Sequence, residues 1–230
     1  MATHEYAPLL GKRIRVTELD NCGAVVNGAQ ALATDGFVSV SLTAETEDGN
    51  EIIVRNAAGQ ICINEKMANS FKRFTVGITF CGVNPQLLAL VTNAEVYEDW
   101  NEDPAGFTVP EGEIDSNFAL ELWTGLSGVA CEPGQVDEAS GYLLLPYIRS
   151  GILGDLEVTG ESEVTFSLTG AFTRGGNGWG AGYANVVRNA EGEPAKLPTA
   201  IDAFDHLLLI DTALAPPPVA TDAAPVTITP

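Results

Sequence analysis

Residues 75–93, TVGITFCGVNPQLLALVTN, constrain the fold more than any other stretch of the chain. Phe74, Val76, Ile78 and Phe80 recur at period two, which places four large apolar side chains on one face of a strand. Gly82 then loosens the backbone and Asn84 can cap a helix. Pro85 suits the first helical position, where its missing N–H leaves no bond unmade. Leu87, Leu88 and Val91 form one apolar stripe over the next two turns, and Asn93 is the expected stop. A strand running into a helix, apolar on both parts, needs a sheet to bury them. No other stretch is so clearly helical, so the remainder is predicted as strands and loops around this unit.

The rest of the chain is punctuated for short strands, with 24 Gly and 13 Pro among 230 residues. Phe37–Thr46 alternates, with Val38, Val40, Leu42 and Ala44 on one face and Ser39, Ser41, Thr43 and Glu45 on the other. Asp48-Gly49-Asn50 then supplies residues that tolerate positive φ, and Ile52–Arg55 is predicted to return as the second arm of a hairpin. Further strands are expected at Gln60–Asn64, Phe118–Thr124, Tyr142–Ile148, Val164–Thr169 and His206–Thr212, with Pro146 marking an edge or a bulge. Residues 95–117 and 174–200 read as loops, the first longer than a passive connection needs. Eight to ten strands and one helix predict a mainly β fold, a β-sandwich or partly closed barrel with one flanking α-helix.

Residues 21–214 form this domain, between an N-terminal arm or edge strand (1–20) and a Pro-rich tail (215–230). The tail is either disordered or an arm ordered by a partner. The arm carries the basic group Lys12, Arg13 and Arg15, which reads equally as a solvated edge or as a contact with an acidic face, such as another copy of the chain.

Charge excludes several functions. Eleven Lys+Arg against 31 Asp+Glu give a net charge of −20, and residues 74–230 carry −18 of it. Glu95–Glu138 holds twelve carboxylates and no Lys or Arg. Such a surface repels nucleic acid rather than binding it. The N-terminus has no apolar core of signal-peptide type and no aliphatic run could cross a bilayer, so a soluble cytoplasmic product is expected. Cys22, Cys62, Cys81 and Cys131 form no C-x-x-C pair; reduced thiols are expected, with Cys62 and Cys81 in the core.

No catalytic constellation is visible. The two histidines, His4 and His206, stand far apart in the chain, and Gly125-Leu126-Ser127-Gly128 is not a nucleophile elbow. Asp99, Asn101 and Asp103 match three positions of a calcium loop, but Pro104 and Pro110 stand where that loop needs glycine and glutamate. The glycine-rich run 175–183 lacks G-K-[ST] and a following helix, so it reads as a loop whose Trp179 and Tyr183 pack on another chain or on their own sheet. No enzyme, cofactor or dedicated metal is expected.

Three segments carry a resemblance: Thr75–Asn93, LELWTGLSG (Leu120–Gly128), and YLLLPYIRSGILGDLEV (Tyr142–Val158) before a strand ending TGAFTR. Together they resemble the major tail protein, or tail tube protein, of long-tailed bacteriophages, especially those of actinobacteria. The likeness covers most of residues 14–212 and departs at Val91-Thr92-Asn93, where the family has a T-G ending. It implies a virion structural protein assembled in the host cytoplasm. A β-sandwich with one flanking helix would form hexameric rings that stack into a tube with a continuous barrel lumen. Its partners would be other copies, the tape measure protein, the tail terminator and the baseplate or distal tail proteins, with DNA passing through without specific binding. On that resemblance Ser39, Ser41, Thr43, Glu45, Glu163, Thr165, Ser167 and Thr169 are lumen-facing candidates. Lys12, Arg13, Arg15, Trp100, Trp179 and Tyr183 are inter-subunit candidates. The alternative is a monomeric acidic β-sandwich that binds carbohydrate or decorates a capsid.

Overall fold

A computed structural model describes residues 7–82, 84–127, 140–154, 166–176, 185–212 and 214–228. In chain order its elements begin with β1 (Ala7–Glu18), β2 (Gln30–Thr34), β3 (Phe37–Glu47), β4 (Glu51–Arg55), β5 (Ile61–Lys66), β6 (Ser70–Phe80) and α1 (Pro85–Val91). There follow β7 (Glu95–Glu98), β8 (Pro104–Thr108), β9 (Asn117–Ser127), β10 (Ser140–Arg149), β11 (Ile152–Leu153) and β12 (Phe166–Arg174). The last are β13 (Val187–Arg188), β14 (Pro194–Ala195), β15 (Leu208–Thr212) and β16 (Ala224–Pro225). The fold is mainly β and antiparallel with one short helix. Its main sheet runs β16-β2-β1-β9-β10-β12-β6-β3, with β15 beside β10 and β11 beside β12. The terminal strands β16 and β3 do not pair with each other, so the sheet stays open instead of closing into a barrel.

Alternation gives the sheet two buried faces. Ile14, Val16, Leu32, Phe118, Leu120, Leu145 and Ile148 from one half meet Val76, Ile78, Phe80 and Leu168 from the other, with Leu87 and Val91 of α1 in the same core. On the opposite face of β9 and β10, Ala119, Trp123, Tyr142 and Leu144 are covered by Val186, Leu197, Ile201 and Leu208. A charged group lies in that second layer. Glu121 is fully buried and accepts from Arg15 Nη2 (2.7 Å) and from the Tyr142 hydroxyl (2.6 Å), with Arg15 Nε as a further donor. The partly buried Arg15 cation and the Tyr142 hydroxyl offset the desolvation that the Glu121 carboxylate alone would suffer.

The strand–helix unit forms where its local signals place it. Asn84 Oδ1 accepts from the N–H groups of Gln86 (3.0 Å) and Leu87 (3.1 Å), satisfying two of the helix's free donors. The stop is Thr92, not Asn93. Its N–H and its hydroxyl both donate to the Leu88 carbonyl, at 2.9 and 2.7 Å, and Oγ1 also accepts from the Ala94 N–H (3.0 Å). The side chain does what a left-handed residue does in other helix ends.

Several expectations are corrected. β3 does not pair with β4: Val40 stands opposite Ile78, Leu42 opposite Val76 and Ala44 opposite Phe74, all on β6. Asp48-Gly49-Asn50 is therefore no reversal, and Gly49 is required by a close approach, since a Cβ there would lie 2.1 Å from the Met67 carbonyl oxygen. A bulge between Phe37 and Ser39 leaves Val38 exposed and gives its core place to Phe37. The first segment is no arm or edge, because β1 lies inside the sheet between β2 and β9. Residues 95–117 contain the β7–β8 hairpin instead of only loop, and 174–200 the β13–β14 pair. Cys62 and Cys81 are exposed, as is Cys22; Cys131 lies outside the described residues. The Pro-rich tail follows the β2 edge of its own chain.

Candidate functional site

The main departure from a closed globule is a long two-stranded ribbon built from β3 to β6. Its pairing runs from Phe37↔Phe80 at the base to Glu47↔Ser70, then continues at Glu51↔Lys66 in the same register. Between the two ladders lies a neck. There the Met67 N–H donates to the Asn50 carbonyl (3.0 Å), the Gly49 N–H to Asn69 Oδ1 (3.1 Å), and Asn69 Nδ2 to Asp48 Oδ1 (2.9 Å). The reversal comes only at 56–60, where Gly59 takes φ +80° and Asn56 Oδ1 accepts from the N–H groups of Ala58 (3.0 Å) and Gln60 (2.9 Å). The five residues of β4 and six of β5 beyond the neck reach roughly 17–20 Å.

The ribbon's two halves face different surroundings. Proximally, Val40 and Leu42 pack on the core and Ser39, Ser41 and Thr43 are exposed, with Glu45 partly so. Distally every residue of β4 and β5 is exposed. Ile52, Ile53, Val54, Ile61 and Ile63, on both faces, are each 44–50% exposed. Met67 and Phe71 extend this apolar surface to the neck.

The proximal outer face is polar. Ser39 stands opposite Thr79 and Thr79 opposite Ser167, so β3, β6 and β12 bring Ser39, Ser41, Thr43, Glu45 and Ser167 onto one face, with Thr169 exposed two residues further on. Gly77 lies opposite Ser41, and a Cβ there would come 2.7 Å from Ser41 Oγ. The Thr75 hydroxyl donates to Glu45 Oε1 (2.6 Å) and Arg73 Nε to Oε2 (2.7 Å), which together hold the Glu45 carboxyl below its ordinary range. Glu163 and Thr165 lie outside the described residues.

Near the neck His206 sits edge-on to Phe71, with Nδ1 2.8 Å from Thr173 Oγ1, which also accepts the Phe74 N–H at 2.9 Å. Burial is the main cause that lowers the His206 pKa below its ordinary value.

The other sequence candidates are placed as follows. Arg15 is engaged with Glu121 and Arg13 donates to the Pro217 carbonyl (2.5 Å); the Lys12 side chain is exposed. Trp100 projects fully into solvent at the β7–β8 tip. There Asp99 Oδ1 accepts from the N–H groups of Asn101 (2.7 Å) and Asp103 (3.1 Å), so the calcium-like spacing builds a turn. Trp179 and Tyr183 lie outside the described residues. Among the described residues no three His, Cys, Asp or Glu side chains gather as metal ligands. No helix among them is long and apolar enough to cross a membrane.

Sequence reasoning missed the distal ribbon. Strands at Ile52–Arg55 and Gln60–Asn64 are expected from the sequence; what escapes it is that they pair with each other and stand exposed on both faces. No protein-family model matches this chain, and no curated protein matches it.

Proposed function

We propose that this protein is a self-assembling structural subunit, the tail tube protein of a long-tailed bacteriophage, polymerising as stacked hexameric rings into a conduit for the genome. The observation that carries this reading is the distal ribbon. A lone two-stranded hairpin is marginal in water, and one with aliphatic side chains on both faces gains its stability from a surface laid against it. Neighbouring copies supply that surface in a tube. The resemblance of Thr75–Asn93, Leu120–Gly128 and Tyr142–Val158 supports the same assignment, as does the mainly β fold, in which two halves of a sheet share one core with α1 at its flank.

In this reading the outer face of β3, β6 and β12 lines the lumen. Its hydroxyls offer a wet wall, and its cation Arg73 is already held by Glu45, so DNA phosphates find little to pair with. The tape measure protein, tail terminator and baseplate proteins are the partners the reading implies.

Negative-stain microscopy of the purified protein, alone and with a tail-tip initiator complex, tests it. Rings or tubes with a central channel are the expected result. Small particles under every condition would overturn it in favour of a monomeric acidic β-sandwich that binds carbohydrate or decorates a capsid.

A further inference from the structure

The two outer edges of the main sheet are finished differently. At one end β3 offers eleven residues, and nothing among the described residues pairs with its outer side. At the other end residues 216–228 run along β2. The Ala220 N–H donates to the Ala33 carbonyl (2.9 Å), the Val226 N–H to the Ala29 carbonyl (2.8 Å) and the Gly28 N–H to the Val226 carbonyl (2.9 Å). Ala31, between them and opposite Ala224, shares their outward orientation by the period of the backbone. Side chains tie this strap down. Asn84 Nδ2 donates to the Thr221 carbonyl (2.8 Å), Gln86 Oε1 accepts the Ala223 N–H (2.6 Å), and Arg13 holds the Pro217 carbonyl.

The strap is a poor strand and a good terminator. Only Ala224 and Pro225 pair with β2 in a ladder. Pro216, Pro217, Pro218 and Pro225 have no N–H, so the strap presents few donors to a further strand. Two bare edges on one subunit would pair head to tail, copy on copy, without control. Here one edge is bare and the other is capped.

We propose that residues 216–228 are a displaceable edge cap, and that the strand which replaces them on β2 is β3 of a second copy. The proposal rests on the assembly reading above and supplies its control step. A proline-broken strap, held by a two-residue ladder and a few bonds at its ends, is exchanged for a continuous strand that can run along all five residues of β2, so displacement is favoured only when the neighbour is in place.

The test compares the full chain with one ending at Ala215, by sedimentation across a concentration series, with circular dichroism to establish that both are folded. The shortened chain is expected to associate at about tenfold lower concentration. Adding Ala31→Pro, which removes an outward N–H from β2, is expected to restore the full chain's behaviour. A folded shortened chain that associates no more readily than the full chain overturns the proposal.

If shortening unfolds the protein, the full-length Asn84→Asp, Gln86→Leu variant decides. Aspartate keeps the helix cap but loses the donor to Thr221, and leucine removes the acceptor for Ala223. Faster exchange of the strap amides with earlier association supports the cap; unchanged association overturns it. Microscopy separates this from the tube reading. Tubes from the full chain whose onset ignores the strap would sink the cap alone. Association through β2 into particles without a channel would sink the tube alone.

Discussion

The proximal and distal halves of the ribbon are joined by one antiparallel pairing, with a register shift at Glu45/Thr46, and use the same strand-forming residue types, yet only the proximal half is built into the body. β3 and β6 turn Val40, Leu42, Val76, Ile78 and Phe80 into the core, while β4 and β5 hold Ile52, Ile53, Val54, Ile61 and Ile63 in water. Propensity does not distinguish the two halves. Neighbours do: β6 lies beside β12, and Phe80 shares a core with α1, whereas the distal half stands beyond the neck at Gly49. A strand is stabilised by what lies against its face, and among the described residues the distal half has only itself.

The strongest way to break this comparison is to remove what the proximal half leans on. Leu88→Asp puts an unpaired charge at a buried position of α1 and is expected to cost at least ~3 kcal/mol and abolish cooperative thermal unfolding. Normal tubes from that variant would show that the helix does not support the core. Phe80→Ala, at a fully buried site of β6, is expected to cost about 3–5 kcal/mol in denaturant titration. Glu121→Ala leaves Arg15 without its buried partner and should cost about as much, ~3–5 kcal/mol. Since it touches the second layer instead of the ribbon, it serves as a control for general loss of stability.

Acid should act first where His206 packs against Phe71, at the neck end of the proximal half. The His206 pKa is lowered, so the unfolded chain binds the proton more readily. Its contribution to stability is therefore present above about pH 6.5 and is lost as pH falls through the depressed folded value. Glu45 follows at lower pH, as does Asp115 just before β9, whose carboxyl pKa is lowered by the Arg149 Nη2 hydrogen bond to Oδ1 (2.6 Å); their contributions fade as pH drops below the ordinary carboxylate range. Melting temperature measured from pH 7.5 down to 5 should fall in the native chain and fall less in His206→Phe. Equal slopes would remove His206 from the account. The smallest effect on stability is expected distally: Ile53→Ser with Ile63→Ser should change the subunit by only about 0.5 kcal/mol per site, while ring or tube formation fails. A distal double variant as damaging to the monomer as Phe80→Ala would erase the distinction between the halves.

What could be read in the sequence were the local signals. The Asn84 cap, Pro85 at the helix start and the period-two run from Phe74 to Phe80 each act within a few residues, and each is found in place. Alternation likewise located β9, β12 and the polar face of β3. The candidate site was half legible: Ser39, Ser41, Thr43 and Glu45 stood out as one face, but the ribbon beyond them did not.

Partners were not legible, because pairing joins residues far apart in the chain. An apparent turn at Asp48-Gly49-Asn50 is a neck only because residues 67–69 come back to meet it. Arg15 reads as an exposed cation until β9 brings Glu121, 106 residues away, to its side. The Pro-rich tail reads as disorder or as an arm awaiting a partner until β2 offers it an edge. By itself the sequence determined which segments extend, where the helix begins, and that the surface is strongly acidic. Only the tertiary structure decided which edge is covered, which cation is buried and which hairpin stands free, because each depends on what the rest of the chain lays against it.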